Sequence, residues 1–339
     1  MKRLALALGL AVLTHAHVAS GQSLAVEVDQ SVGHSTENVS AAGTQIRTFG
    51  ELQPGFRFNV EAAWAVRSAD QGDAFEAAYP YAERLQVIEA YGERLFAPGH
   101  GVLAIRLGRY RTPFGIYSAS DHAYNGFLRA PLIRYDDYYA LSNNFLEHGA
   151  DVVVGTPRFS LEASVGVPGD VGEATRREGV DAVVRGQGAV GPMIVGISYI
   201  RTSPNLPASF ARGHAMFSGV DARWMRDGVQ VRGELIWGQP FDGTTTTGGY
   251  IDLIVHRPSM GPLTVVARAE RTAYEAPAPF ALYAQRYTAG GRIRLFDRLS
   301  TEVMLIRQTR SLSDHLLALD LGLTYSLRHD SSLRRDAVH

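Results

Sequence analysis

The stretch GFRFNVEAAWAVR, residues 55 to 67, sets Phe56, Phe58, Val60, Ala62, Trp64 and Val66 on one parity and Arg57, Asn59, Glu61 and Arg67 on the other. A period of two marks a β-strand, because successive side chains leave opposite faces of the sheet. The alternation returns at 158–167, 229–237 and 317–327, where Asp320 and Thr324 interrupt a leucine-rich run. A chain made of such runs folds as packed sheets or as a closed barrel, and the two differ in what the apolar parity touches.

Turn chemistry separates the runs. Short breaks fall at Pro54-Gly55, Thr156-Pro157, Gly191-Pro192, Asp227-Gly228 and Asp297-Arg298, and longer polar breaks at 168–178, 203–213, 239–246 and 274–280. Short and long connections thus alternate, as in an outer-membrane barrel with tight periplasmic turns and extended outer loops. Strands are expected near 24–33, 43–51, 54–68, 79–92, 101–112, 149–156, 158–167, 179–190, 192–202, 214–225, 228–238, 247–257, 261–273, 281–295, 299–310 and 314–328. The expected fold is therefore all-β: a transmembrane antiparallel β-barrel of about sixteen strands, with fourteen possible because the second and fourth patterns are weakest. Runs of about ten residues suit tilted membrane strands. Aromatic rings fall near strand ends, with Tyr79, Tyr81 and Trp237 expected at the outer interface and Phe56 and Trp224 at the periplasmic one. The competing reading is a secreted β-sandwich with those rings in its core.

The amino terminus supports export. Met1-Lys2-Arg3 is a basic head, Leu4 to Leu13 an apolar run too short to span a bilayer as a helix, and Ala19-Ser20-Gly21 a small-residue cleavage site. The expected organisation is a signal peptide over 1–21, a barrel over 22–328 and a polar periplasmic tail over 329–339. The chain has no cysteine, so no disulfide secures it. Its net charge of -1 gives no basic excess to attract nucleic acid.

In a barrel set in lipid the polar parity faces inward. Arg57, Arg67, Arg106, Arg158, Arg185, Arg223, Arg232, Arg268, Arg292 and Arg294 fall there, against Glu61, Glu162, Asp181, Asp221, Glu234, Glu270 and Glu302. Each arginine would cost about 2–4 kcal/mol facing lipid at mid-depth, so their shared phase argues for an aqueous interior with a mild positive bias. Pairing with acids on neighbouring strands is the plainer use of many of them. The glycine pattern of 186–191 lacks the following helix that a dinucleotide site needs, no histidines show metal-ligand spacing, and no nucleophile elbow is present. No cofactor, metal or catalytic residue is expected.

The run Gly108-Arg-Tyr-Arg-Thr-Pro-Phe-Gly115 resembles the Gly-x-Phe/Tyr-Lys/Arg-x-Pro-Phe-Gly block of the phosphate-selective porin O and P family of Gram-negative outer membranes. Arg129-Ala-Pro-Leu-Ile133 and Gly149-Ala-Asp-Val-Val-Val-Gly155 sit where such porins carry a loop and the next strand, and the resemblance covers about 101–155. It implies a sixteen-stranded, usually trimeric outer-membrane channel for small anions with one long loop folded inward. The break at 113–148 would be that loop, with Arg129, Arg134, Tyr135, Asp136 and Asp137 at its tip. Arg109 and Arg111 would lie near the outer mouth or the headgroups. Lys2 is the only lysine, so arginine alone would guide an anion. The expected activity is passive diffusion of small hydrophilic solutes with a mild preference for anions, phosphate among them. The expected partners are outer-membrane lipid and lipopolysaccharide, the barrel assembly machinery and two further copies. A barrel lipase or protease, or an adhesion barrel, is the alternative.

Overall fold

The computed structural model describes residues 23–68, 85–97, 99, 101–116, 127–129, 131–133, 146–168, 180–202, 214–240, 244–275, 281–311 and 313–332. Sixteen antiparallel strands close into one barrel, so the sixteen-strand count holds over fourteen. They are β1 (Ser23–Ser35), β2 (Val39–Gln53), β3 (Phe56–Arg67), β4 (Gln86–Phe96), β5 (Val102–Arg111), β6 (Leu146–Thr156), β7 (Phe159–Pro168) and β8 (Asp181–Val190). The second half comprises β9 (Met193–Thr202), β10 (Ala215–Arg226), β11 (Val229–Gln239), β12 (Thr245–Val255), β13 (Leu263–Glu275), β14 (Ala281–Phe296), β15 (Leu299–Arg310) and β16 (Ser313–Ser332). Each strand pairs with its sequence neighbours, and β1 meets β16 from Ser23↔Ser332 to Ser35↔Asp320, leaving no open edge.

Local chemistry fixes the hairpins. Asp227 and Gly228 join β10 to β11 with φ of 51° and 76°, the paired left-handed geometry that matches a two-residue turn to the twist of its strands. Both termini of the barrel lie at one mouth, together with the turns at 54–55, 157–158, 191–192, 227–228 and 297–298. The long connections lie at the far mouth. The alternation of short and long breaks is loose: the terminus-side connection at 256–262 is longer than the far-side ones at 240–244 and 276–280, and the far-side turn at 36–38 is tight.

Several strand boundaries depart from expectation, with β2 beginning at Val39 rather than 43 and β6 at Leu146 rather than 149. β4 runs from Gln86 to Phe96 where 79–92 was expected, and residues 79–84 lie outside the described residues. A register shift between Glu61 and Ala62 breaks the alternation against β4, so a strict period-two reading misplaces that strand. β16 continues to Ser332, past the end of the strand expected at 314–328, so His329 to Ser332 are wall rather than tail.

Neighbouring residues show which way each face looks. Val60 is 44% exposed and Glu61 0%, Ile197 62% and Ser198 2%, Leu305 52% and Met304 0%. Apolar side chains therefore cover the outside and polar ones turn inward, the reverse of a soluble sandwich and the arrangement that lipid requires.

Candidate functional site

Inward-facing charges pair across adjacent strands because register places them side by side. Asp252 is the Cα partner of both Arg232 and Arg268, at 2.9 Å and 2.6 Å between charged atoms. Glu270 and Arg286 are also partners, 2.6 Å apart and both fully buried. Arg292 pairs with Glu302, and Arg106 with Glu93 at 3.1 Å and Asp151 at 3.2 Å, while Arg185 on β8 reaches past β9 to Asp221 on β10 at 2.9 Å. Buried guanidinium–carboxylate pairs of this kind offset their desolvation only through close, multiply hydrogen-bonded geometry.

The segment after β5 enters this ionic lining. Thr112, Phe114, Ile116, Phe127, Leu128, Arg129 and Ile133 are all buried. The Gly115 N–H donates to Ser198 Oγ at 3.1 Å, Ile116 N–H to Glu234 Oε2 at 3.3 Å and Leu132 N–H to Glu270 Oε2 at 2.5 Å. Arg129 Nε donates to Asp320 at 2.7 Å and Nη2 to Glu37 at 2.5 Å, while its carbonyl accepts from Arg268 Nη1 at 3.1 Å. These contacts fall on β9, β11, β13, β16 and the β1–β2 turn, so the described parts of the segment touch several sides of the inner wall.

Glycines make room for the segment. A Cβ on Gly219 would lie 3.1 Å from Phe114, one on Gly248 2.7 Å from Ile133 and one on Gly322 3.0 Å from Leu128. All three glycines have inward parity, on β10, β12 and β16. Phe127 and Leu128 also pack on an apolar patch of inward side chains that includes Val39, Val266, Met304 and Ile306. The Arg268 guanidinium lies 4.0 Å from the Phe127 ring centre and 5.1 Å from that of Tyr250.

The predicted arginines meet different fates. Arg57, Arg67, Arg106, Arg185, Arg232, Arg268, Arg292 and Arg294 all have inward parity. Arg185, Arg232 and Arg268 are buried in ion pairs, and Arg268 is sealed beneath Phe127, so these three do not present free charge to water. Arg106 and Arg292 are partly exposed and paired. Arg57 and Arg294 are the exposed members. Arg129 is locked to Asp320 rather than standing free at a loop tip, and Arg134, Tyr135, Asp136 and Asp137 lie outside the described residues.

Sequence reasoning missed much of the lining. Arg111, expected at the mouth or headgroups, turns inward to Glu61 at 2.6 Å and Glu89 at 2.7 Å. Arg286, Glu27, Glu89, Glu147, Asp151, Asp252 and Asp320 are further buried charges of the interior. Glu147 fell in the break expected at 113–148 and so had no parity to read; the others lay within expected strands, but their partners required the cross-strand register. The excess of arginine expected from parity alone thereby disappears, since acids meet most of the buried guanidiniums. Among the described residues no group of three acidic or histidine side chains is arranged to hold a metal ion.

No family model and no curated protein matches the chain, so the likeness to phosphate-selective porins rests on its one sequence block. Solved structures do match. OmpF of Salmonella typhi in complex with daunomycin aligns with a TM-score of 0.64 at 11% identity, covering 90% of this chain and 97% of that one. An anion-selective porin from Comamonas acidovorans gives 0.58 at 13%, covering 92% and 100%. OmpT of Vibrio cholerae in its trimer form, an outer membrane protein, gives 0.57 at 10%, covering 91% and 100%. At these identities the shared feature is the barrel itself.

Proposed function

We propose that the protein is a porin of a Gram-negative outer membrane through which small hydrophilic solutes diffuse down their gradients. The observation that carries this reading is the inversion of faces in a closed sixteen-strand wall, apolar outside and ionic inside. Such a wall is stable in lipid because every strand edge is paired and the buried charges never meet the acyl chains. The segment carrying Phe114, Phe127 and Arg129 is the constriction that narrows the bore. The porin structures that the chain resembles support the same reading.

A mild anion preference is part of the proposal, but its source moves. Arg57 on β3 and Arg294 on β14 face inward near the terminus-side mouth and form no side-chain ion pair among the described residues, whereas the central arginines are neutralised by their partners. The outer face of β2 is polar or small at Ser40, Ala42, Thr44, Thr48 and Gly50, with Ile46 the one large apolar residue between them. That stripe suits contact with protein better than with lipid and supports a homotrimer.

Planar-bilayer recording of the refolded chain tests the channel. Open-channel steps with a reversal potential favouring chloride over potassium are expected, and Arg57→Ser with Arg294→Ser should move that potential toward the cation side. Absence of steps from protein that is folded and inserted would overturn the reading.

A further inference from the structure

A cavity of about 230 Å³ opens inside the terminus-side mouth, between the β12–β13 connection and the β14–β15 turn. Its size equals the liquid share of roughly eight waters, more room than a bare small anion fills. Arg292, Arg294 and Arg298 line it, and so do the hydroxyl residues Thr264, Ser300 and Ser326. Register assembles these groups on inward rows. Thr264, Arg292 and Glu302 are successive cross-strand partners, and Arg294 stands opposite Ser300.

The charges divide into held and unheld. Arg292 is engaged by Glu302, and Thr264 Oγ1 lies 3.1 Å from His256 Nδ1, which fixes the imidazole on the cavity wall. Arg294 and Arg298 have no side-chain ion pair among the described residues, and Asp297 is the one acid in the lining. Pro262 and Leu299 add apolar surface. Two unheld guanidiniums favour an oxyanion held by paired N–H donors, hydroxyls supply further donors, and the apolar wall gives a short carbon chain somewhere to lie.

We propose that this cavity binds small organic carboxylates of a few carbons as an entry or exit station at the terminus-side mouth. Arg294 and Arg298 hold the carboxylate, and Pro262 and Leu299 pack against the aliphatic body. The site deepens the channel reading and rests on it for its role in transport. Binding is measured separately, so the two can fail independently.

Calorimetric titration of the refolded full chain in detergent micelles, with acetate, butyrate and inorganic phosphate, tests the site. Butyrate should bind saturably and several-fold more tightly than acetate, because each buried methylene adds to affinity. Arg294→Ser should weaken butyrate about tenfold, and Arg294→Lys should recover part of that loss, since an ammonium keeps the charge without the fork. Heat-modifiable gel mobility verifies that each variant is folded. Absence of saturable butyrate binding, phosphate binding as tight as butyrate, or indifference to Arg294→Ser in folded protein would each overturn the proposal. Bilayer steps persisting without butyrate binding would remove the site and leave the channel. Arg294-dependent butyrate binding without steps would keep the site and remove the channel.

Discussion

At the scale of single residues, the interior depends on a few carboxylates that each answer for more than one neighbour. Asp252 accepts from Arg232 on one side and Arg268 on the other while being fully buried itself. Replacing it with alanine removes the buried acid that both guanidiniums share, a loss of about 3–5 kcal/mol in breaking a buried pair. Asp330 gives the comparison, because its pair with Arg328 at 3.0 Å is more than half exposed on both sides. Solvent screens that pair, so its removal should cost under about 1 kcal/mol. Denaturant unfolding followed by tryptophan fluorescence should separate Asp252→Ala from Asp330→Ala by that margin. Equal midpoints would mean that water reaches Asp252.

At the scale of elements, strand and segment obey different rules, and sequence reads them unequally well. The outward face of a strand is set by lipid, so Ile197→Arg in the middle of β9 should destabilise the barrel by about 2–4 kcal/mol in bilayers, measured by reversible unfolding from vesicles. The period-two pattern contains this information, which is why the strands and their faces were legible from residues such as Phe56, Val60 and Trp64. The docking of the segment after β5 was not legible to the same degree. Its length and the Gly108–Gly115 block pointed inward, but the slots that receive it are three glycines on distant strands, and nothing local marks Gly219, Gly248 or Gly322 as partners of Phe114, Ile133 and Leu128. The pairing of Arg129 with Asp320 spans 191 positions and was equally hidden, although both residues were visible as charges. Gly248→Val should expel Ile133 and loosen the segment, making the Arg129–Ala130 bond sensitive to trypsin. Mass spectrometry of folded protein should detect that cleavage in the variant and not in the parent. Equal resistance would show that the segment is held without the glycine slot.

At the scale of the whole molecule, fifteen of the strand pairings join sequence neighbours and one does not. The hairpins form from nearby residues at small entropic cost, whereas closure brings β1 to β16 across almost the full chain. Ser31 Oγ and Thr324 Oγ1 meet across that seam at 3.1 Å with a separation of 293 residues. Both side chains face inward, and the chain has no cysteine to compete, so Ser31→Cys with Thr324→Cys can form one intramolecular disulfide. A cross-link over so long a loop restricts the unfolded chain strongly and should stabilise the barrel by up to about 5 kcal/mol. The oxidised double variant should keep a faster mobility after boiling on a non-reducing gel than after reduction, and neither single variant should show that difference. The bond should appear only after refolding, because in the unfolded ensemble the two positions rarely meet. Folded protein that could not be oxidised would place β1 and β16 apart, and with an open seam the barrel would expose two unpaired edges to lipid, which no bilayer tolerates.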